Sequence, residues 1–141
     1  MYSPKQVSLK TYNTFGVEAT CSEFHIIDQA DLVVPVLELI SAQPFILGGG
    51  SNLLIVSDLE LAVLKNSIHG AEVLDEGDDH VDVRVGGGVN WHRFVLWCID
   101  RGYGGLENLS LIPGSAGAAP IQNIGAYGVE QESAFRSLDA I

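Results

Sequence analysis

Basic side chains are scarce in this sequence, which has 7 lysines and arginines against 18 aspartates and glutamates and a net charge of −11. Nucleic-acid-binding proteins need clustered Lys and Arg to replace the counterions of the phosphates, and anionic membrane surfaces attract the same residues. The charge therefore argues against both kinds of partner. A phosphate bound by this chain would have to be held mainly by backbone N–H groups.

Cysteines, targeting signals and long apolar runs are also few or missing. Cys21 and Cys98 lie far apart, which gives neither a disulfide framework nor the CxxC spacing of a zinc site. The first 15 residues lack the apolar core of a signal peptide, and no apolar run approaches the roughly 20 residues that span a bilayer. The four histidines show no metal-ligand spacing. We therefore expect a cytoplasmic protein without a metal site.

Glycine, by contrast, is abundant, and 13 of the 16 glycines fall in three clusters. The first cluster begins a segment that we call the glycine turn, residues 48–52, which has the sequence GGGSN between two apolar stretches. Successive N–H groups in such a turn can form an anion-binding nest, with Ser51 and Asn52 adding side-chain donors. A tight turn with a bulge and no ligand explains the same residues, and both interpretations stay open at this point.

The other two clusters differ in kind. Gly86–Gly88 leads out of an apolar strand, and Asn90 is placed to cap the following helix, which favours a structural turn. The third cluster is the seven glycines from Gly102 to Gly128, and all but Gly102 lie in residues 104–128, which we call the long loop. It combines many small residues with polar Ser115, Gln122 and Asn123 and has one acidic residue, Glu107, for which a structural hydrogen bond is expected. A long, structured loop inside a compact domain is usually functional.

Hydrophobic periodicity predicts a mixed α/β chain. A strand, a helix and a second strand give a βαβ pattern that runs into the glycine turn, and further strands, a hairpin and an amphipathic helix follow. The predicted strands are residues 22–27, 44–47, 53–56 and 61–64, the hairpin pairs 73–75 with 81–85, and the helices are 28–43 and 90–101.

Four motifs, taken together and in this order, resemble one known family. They are Asn13-Thr14-Phe15, LGGGSNLL from Leu47, VGGGVNWHRF from Val85, and GLENLSLIPGSAGAAPIQNIGAYGVE from Gly105. They are similar to motifs of the UDP-N-acetylenolpyruvoylglucosamine reductases, flavoenzymes of bacterial peptidoglycan synthesis. The similarity runs through nearly the whole chain.

The resemblance implies an α+β fold of the FAD-binding type 2 class, which is like that of vanillyl-alcohol oxidase. Residues 1–66 would form the first FAD-binding subdomain and 67–141 the beginning of the second, with the substrate-binding domain absent. The residues that the resemblance assigns to FAD are, for the pyrophosphate, Gly48, Gly49, Gly50, Ser51 and Asn52 and, for the flavin and its ribityl chain, Ile112, Pro113, Gly114, Ser115, Gly117, Ala118, Gln122, Asn123 and Gly125.

The resemblance also implies an activity for the whole protein. NADPH would reduce the bound FAD, which then reduces UDP-N-acetylglucosamine enolpyruvate to UDP-N-acetylmuramate. The family's proton donor and its partners belong to segments beyond Ile141, so no residue here is assigned a catalytic role. We therefore expect an N-terminal fragment that lacks turnover by itself and a protein that is monomeric.

Two other functions stay open. One is an FAD-dependent oxidase of the same superfamily, whose members often attach flavin covalently through His or Cys near the first glycine loop; the glycine turn contains neither. The other is a non-catalytic flavin-binding module.

Overall fold

A computed structural model describes residues 6–141 and divides them into two compact units. The first unit ends at Ser67, and the second runs from Ile68 to Ala140. That these units are the FAD-binding subdomains expected at 1–66 and 67–141 stays a prediction. None of the helices in residues 6–141 has the length and hydrophobicity of a membrane span.

The first unit is built on a four-stranded sheet in the order β1-β2-β4-β3. Strands β2, β4 and β3 are parallel, whereas β1 is antiparallel to β2. The predicted βαβ pattern is confirmed, because helix α1 connects β2 to β3. The elements are β1 (Val7–Ser8), β2 (Thr20–Ile27), α1 (Val33–Leu39), β3 (Phe45–Leu47) and β4 (Leu59–Asn66).

Two of the predicted elements in this unit differ from the structure. The helix predicted over residues 28–43 is limited to a 3₁₀ turn at Ala30–Leu32 followed by α1, so its predicted extent is wrong. The strand predicted at 53–56 is also wrong, because this segment has no β pairing. Two parallel strands begin at the same end of the sheet, so the connection between them must return the chain to that end. Residues 48–58 make that connection between β3 and β4.

One core cluster of the first unit lies on one face of this sheet. Val63 from the central strand, Leu47 from β3 and Cys21 from β2 are buried there. Leu9 and Ala19, at the two ends of the connection between β1 and β2, pack against them. Ile55 packs from the connection between β3 and β4. The apolar run before the glycine turn is thus anchored in a core, which fixes where the turn begins.

The Asn13-Thr14 motif holds a loop that receives the glycine turn. The buried amide of Asn13 donates to the carbonyl oxygens of Leu9 and Val17, at 2.8 and 3.0 Å, and its Oδ1 accepts from the Val17 N–H at 2.9 Å. The loop stabilised in this way brings the Thr14 N–H to 3.1 Å from the carbonyl oxygen of Gly50. This motif therefore has a structural role in the described chain.

The second unit contains a hairpin, a central helix and the long loop. The hairpin consists of β5 (Ala71–Glu76) and β6 (Val81–Val85), and helix α2 (Trp91–Ile99) follows. Both elements were predicted and are confirmed, as is the Asn90 cap, whose Oδ1 accepts from the Arg93 N–H at 3.0 Å. The long loop and the residues just after it contain α3 (Ala119–Gln122), β7 (Gly125–Ala126) and β8 (Val129–Glu130).

Helix α2 organises the core of the second unit. Its buried residues Trp91, Phe94, Val95 and Cys98 pack with Leu109, Ala116 and Ala119 of the long loop. The loop therefore contributes part of the core, which explains how so glycine-rich a segment is ordered.

We expect Gly50→Ala to destabilise the first unit far more than Gly16→Ala. Both glycines have positive φ, +69° and +62°, but a Cβ at Gly50 would lie 2.0 Å from the Tyr12 carbonyl oxygen, whereas one at Gly16 meets nothing within 4 Å. Gly16→Ala should cost about 1 kcal/mol from backbone strain alone, and Gly50→Ala about 3 kcal/mol or more from strain plus overpacking. Urea unfolding of the protein, followed by circular dichroism, measures both. Equal losses would contradict the tight packing at Gly50.

Candidate functional site

The glycine turn lies at the carboxyl edge of the parallel strands, where open α/β sheets bind ligands. It begins directly after Leu47 of β3, at the edge where β2 and β4 also end. Gly49 is exposed, Gly48 is half-buried and Gly50 is buried. The close approach to Tyr12 explains why residue 50 is glycine without invoking a ligand. It does not explain Gly49, whose backbone faces solvent.

Lys65 is a residue that the sequence analysis missed. It stands opposite Leu47 in the register of β3 and β4, so it is next to the residue from which the glycine turn starts. Burial lowers the pKa of Lys65, because the charged ammonium is partly removed from water. Its Nζ donates to the carbonyl oxygen of Asn66 at 2.9 Å, a group without a full negative charge. The position of Lys65 beside the glycine turn follows from the strand register and has no signal in the sequence.

In the second unit, the Gly86–Gly88 cluster pairs with the long loop. The Gly117 N–H donates to the Gly87 carbonyl oxygen at 3.0 Å, and the Ala116 N–H donates to Val89 at 2.8 Å. A Cβ at Gly117 would come within 2.9 Å of the Gly87 Cα, so glycine is required for this pairing. The structural interpretation of the Gly86–Gly88 cluster is supported by this contact.

Ser115 has an unusual environment. The residue is 4% exposed, and its hydroxyl Oγ has no hydrogen-bond partner among the described residues. Buried hydroxyls nearly always have a partner, and leaving one unpaired costs about 1–3 kcal/mol. An unpartnered buried hydroxyl in a loop with predicted ligand contacts is the kind of group that a bound molecule satisfies.

The long loop also concentrates backbone strain and exposed apolar side chains. The non-glycine residues with positive φ in the described chain are Leu111, Asn123 and Tyr127, all within this loop. Leu111, Ile121 and Tyr127 are 77%, 83% and 90% exposed. Strained residues and exposed apolar groups in one segment are typical of ligand or partner surfaces.

The predicted flavin contacts at the end of the loop lie around one open groove. Asn123 and Gly125 both line it. The Asn123 amide donates to Glu130 Oε2 at 2.9 Å, and its left-handed backbone ends α3, so part of its role is structural. Of the other predicted contacts, Ile112, Gly114, Gly117 and Ala118 are half-buried, and Pro113 and Gln122 are exposed. The role of each of these residues toward FAD stays a prediction.

Three further ionisable groups have structural explanations. Glu107 Oε2 accepts from the Gly105 N–H at 2.7 Å, and backbone hydrogen bonds lower the pKa of Glu107, which confirms its expected structural role. Burial raises the pKa of Cys21, and it raises that of Cys98 to about 11. Both thiols are therefore protonated at neutral pH and poor nucleophiles.

One cluster of potential metal ligands occurs at the tip of the hairpin. Asp75, His80 and Asp82 bring their donor atoms within 4.8 Å of one another. The carboxylates of Asp79 and then Asp75 accept hydrogen bonds from the His80 ring and raise the pKa of His80, and Asp82 forms an ion pair with Arg136. These groups are thus partnered within the protein. The expected lack of a metal site stays a prediction.

We expect Ser115→Ala to leave the stability of the cofactor-free protein unchanged or slightly higher, because it removes an unpaired buried hydroxyl. If a ligand satisfies this group, the same variant should bind that ligand about fivefold more weakly, the value of roughly 1 kcal/mol for one hydrogen bond. Thermal unfolding and titration with FAD measure the two quantities. Ser137→Ala, an exposed serine of the same unit, is the control. Clear destabilisation of the cofactor-free protein by Ser115→Ala would show that the hydroxyl already has a partner.

Comparison with known proteins gives a family for most of the chain. The family model described as "FAD binding domain" matches residues 33–141, which include the glycine turn and the long loop. The UDP-N-acetylenolpyruvoylglucosamine reductase of Amoebophilus asiaticus is 46% identical, and the match covers 97% of this chain and 41% of that protein. The corresponding enzyme of Flavobacterium johnsoniae is 47% identical over 95% of this chain and 40% of its own length.

A solved structure supports the same fold. The crystal structure of UDP-N-acetylenolpyruvylglucosamine reductase from Thermus caldophilus matches with a TM-score of 0.66 and 24% identity, over 89% of this chain and 44% of that one. Together with the family match, it confirms the expected α+β, FAD-binding type 2 fold class. The chain spans about two fifths of the length of the curated relatives it matches.

Proposed function

Because this chain belongs to the FAD binding domain family, we propose that it is the FAD-binding part of a UDP-N-acetylenolpyruvoylglucosamine reductase. The observation that carries the proposal is the buried Ser115 hydroxyl, which has no partner among the described residues and lies in a loop that exposes the apolar side chains of Leu111, Ile121 and Tyr127. A large, flat and uncharged ring system such as flavin fits such a surface. When bound, FAD supplies a centre that accepts and donates a hydride.

The proposed role of the first unit is to hold the diphosphate of FAD. Gly48 and Gly49 offer N–H groups at the carboxyl edge of the sheet, and Ser51 and Asn52 add polar side chains. Lys65 lies beside the start of this turn and supplies the nearby positive charge. Its half-buried position strengthens its attraction to an anion, because water screens the charge less there.

The proposed role of the second unit is to hold the flavin and the ribityl chain. Gly114, Gly117 and Ala118 are half-buried and have little or no side chain to obstruct a flat ring, and pairing with the Gly86–Gly88 cluster fixes the path of this segment. The Ser115 hydroxyl, the Asn123 amide and the Gln122 amide are the polar groups proposed to orient the cofactor. No residue of the chain is assigned a proton-transfer step.

The substrates belong to the whole protein. We propose NADPH as the hydride donor and UDP-N-acetylglucosamine enolpyruvate as the acceptor, which places the protein in peptidoglycan synthesis. The names of the curated relatives support the UDP-sugar. A cytoplasmic location, a monomeric state and the lack of turnover by this chain alone are parts of the same proposal.

The test uses the full-length protein. It should purify with a yellow cofactor that is released as FAD on denaturation, and its visible absorbance should bleach with NADPH and return when the enolpyruvyl substrate is added. An FAD-dependent oxidase would instead recover its colour with oxygen and be indifferent to that substrate. A protein that takes up no FAD would refute the proposal.

Gly49→Val should abolish stoichiometric FAD binding while the fold is retained. Gly49 is exposed and does not have positive φ, so the new side chain obstructs the approach of a phosphate rather than the packing of the protein. FAD content per protein and the circular dichroism spectrum measure the two effects. A Gly49→Val protein with a full complement of FAD would remove the glycine turn from the site.

Lys65→Met should weaken FAD binding about tenfold, since it removes one charge-assisted contact to the diphosphate while keeping the length of the side chain. Lys65→Arg, which keeps the charge, is the matched control. The affinity of the wild type should also fall with added salt more steeply than that of Lys65→Met. The two variants are compared by titration with FAD at low and high salt. If the wild type and Lys65→Met bound FAD with equal affinity and equal dependence on salt, Lys65 would be excluded from the site.

A further inference from the structure

The beginning of helix α2 holds both ends of the segment from Leu109 to Ser115. The indole Nε1 of Trp91 donates to the Leu109 carbonyl oxygen at 2.8 Å in the buried core, and the backbone N–H of Trp91 donates to the Gly114 carbonyl oxygen at 3.0 Å. Asn90 and Ser115 form an isolated antiparallel β-bridge. The two ends of the segment are thus fixed against one turn of helix.

Leu111 lies in the middle of this segment in a conformation that leucine rarely adopts. Its φ is +63°, in the left-handed region, and its side chain is 77% exposed. A left-handed conformation costs a non-glycine residue roughly 1–2 kcal/mol, and an exposed side chain gains little packing to offset that cost. Some other contact must therefore hold the backbone here.

The contact is with His92, the second residue of α2. The Leu111 N–H donates to His92 Nδ1 at 3.2 Å. In this hydrogen bond Nδ1 is the acceptor, which corresponds to the tautomer with the proton on Nε2. His92 itself is half-buried, which limits the orientations that the ring can take.

The residues that follow are those proposed to contact the flavin. Ile112 precedes Pro113, and a residue before proline is restricted to extended conformations. The direction of the chain between the anchored Leu109 and the bridged Ser115 is therefore set largely at Leu111. A change in its φ would redirect Ile112 and Pro113, which lie between Leu111 and the fixed end of the segment at Gly114.

We propose that His92 is a positioning residue for the long loop: its Nδ1 holds Leu111 in the left-handed conformation and so sets how Ile112 and Pro113 approach the flavin. The part of this inference that concerns flavin rests on the proposed function. The part that concerns the loop rests on the contacts of His92 and Leu111 alone.

The test compares His92→Asn with His92→Gln in the full-length protein. Asparagine can place its Oδ1 near the position of Nδ1 and accept the Leu111 N–H, whereas the longer glutamine carries its amide toward the position of Nε2. We expect His92→Asn to bind FAD within about twofold of the wild type and His92→Gln to bind it about fivefold or more weakly, the effect of losing one hydrogen bond. The visible spectrum of the bound flavin should shift only in the glutamine variant.

A second measurement needs no cofactor. Hydrogen exchange of the Leu111 amide in the FAD-free protein should be slow in the wild type and in His92→Asn but fast in His92→Gln, while the amides of α2 exchange alike in all three. Equal Leu111 exchange in the wild type and His92→Gln, or equal FAD affinity in both, would overturn the inference. If the wild type binds no FAD and the exchange difference persists, the proposed function fails and the hold of His92 on the loop stands.

Discussion

The close approach of one backbone to another, possible only where a Cβ is missing, is the constraint on which both units depend. Gly50 lies against the Tyr12 carbonyl oxygen, Gly86 against that of Ile68, and Gly117 against Gly87. Each contact is accompanied by backbone hydrogen bonds that join segments distant in the sequence. The glycines allow these close contacts, and the main-chain hydrogen bonds that accompany them connect each glycine-rich segment to a unit with an apolar core. The glycine-rich segments are ordered for this reason.

This constraint separates glycines that shape the fold from glycines that are available to a ligand. At Gly50, Gly86 and Gly117 the space for a side chain is filled by protein backbone, so their identity is explained by packing. Gly49 is exposed, and its proposed contact with a phosphate stays a prediction. Packing therefore explains Gly50, whereas the anion-binding interpretation of Gly48 and Gly49 stays a prediction.

The electrostatics of the chain make backbone recognition the main way in which it can bind an anion. Lys10, Arg84 and Arg136 are engaged with carboxylates of the protein, and Arg101 lies over the ring of Trp97. Lys65 differs from them because burial lowers its pKa and its ammonium contacts a neutral carbonyl. A partly desolvated cation beside backbone N–H groups is complementary to a diphosphate, which carries its charge over several oxygens.

The sequence by itself determined the elements with strong periodicity and the fold class. The hairpin, helix α2 and its Asn90 cap follow from alternation, helical spacing and capping chemistry, which are local properties. The ordered quartet of motifs indicated the flavoenzyme family. The strand expected at 53–56 failed because apolar alternation cannot reveal whether a segment has a hydrogen-bonding neighbour, and here parallel pairing of β3 with β4 made it a return connection.

Only the tertiary structure decided which groups were left without partners and which distant residues met. Lys65 lies beside Leu47, and His92 holds Leu111, although nothing in the sequence relates the members of either pair. The lack of a partner for the Ser115 hydroxyl among the described residues has no signal in the sequence either. Hydrogen bonding and desolvation depend on distances of a few ångströms, and those distances are set by packing rather than by the order of residues along the chain.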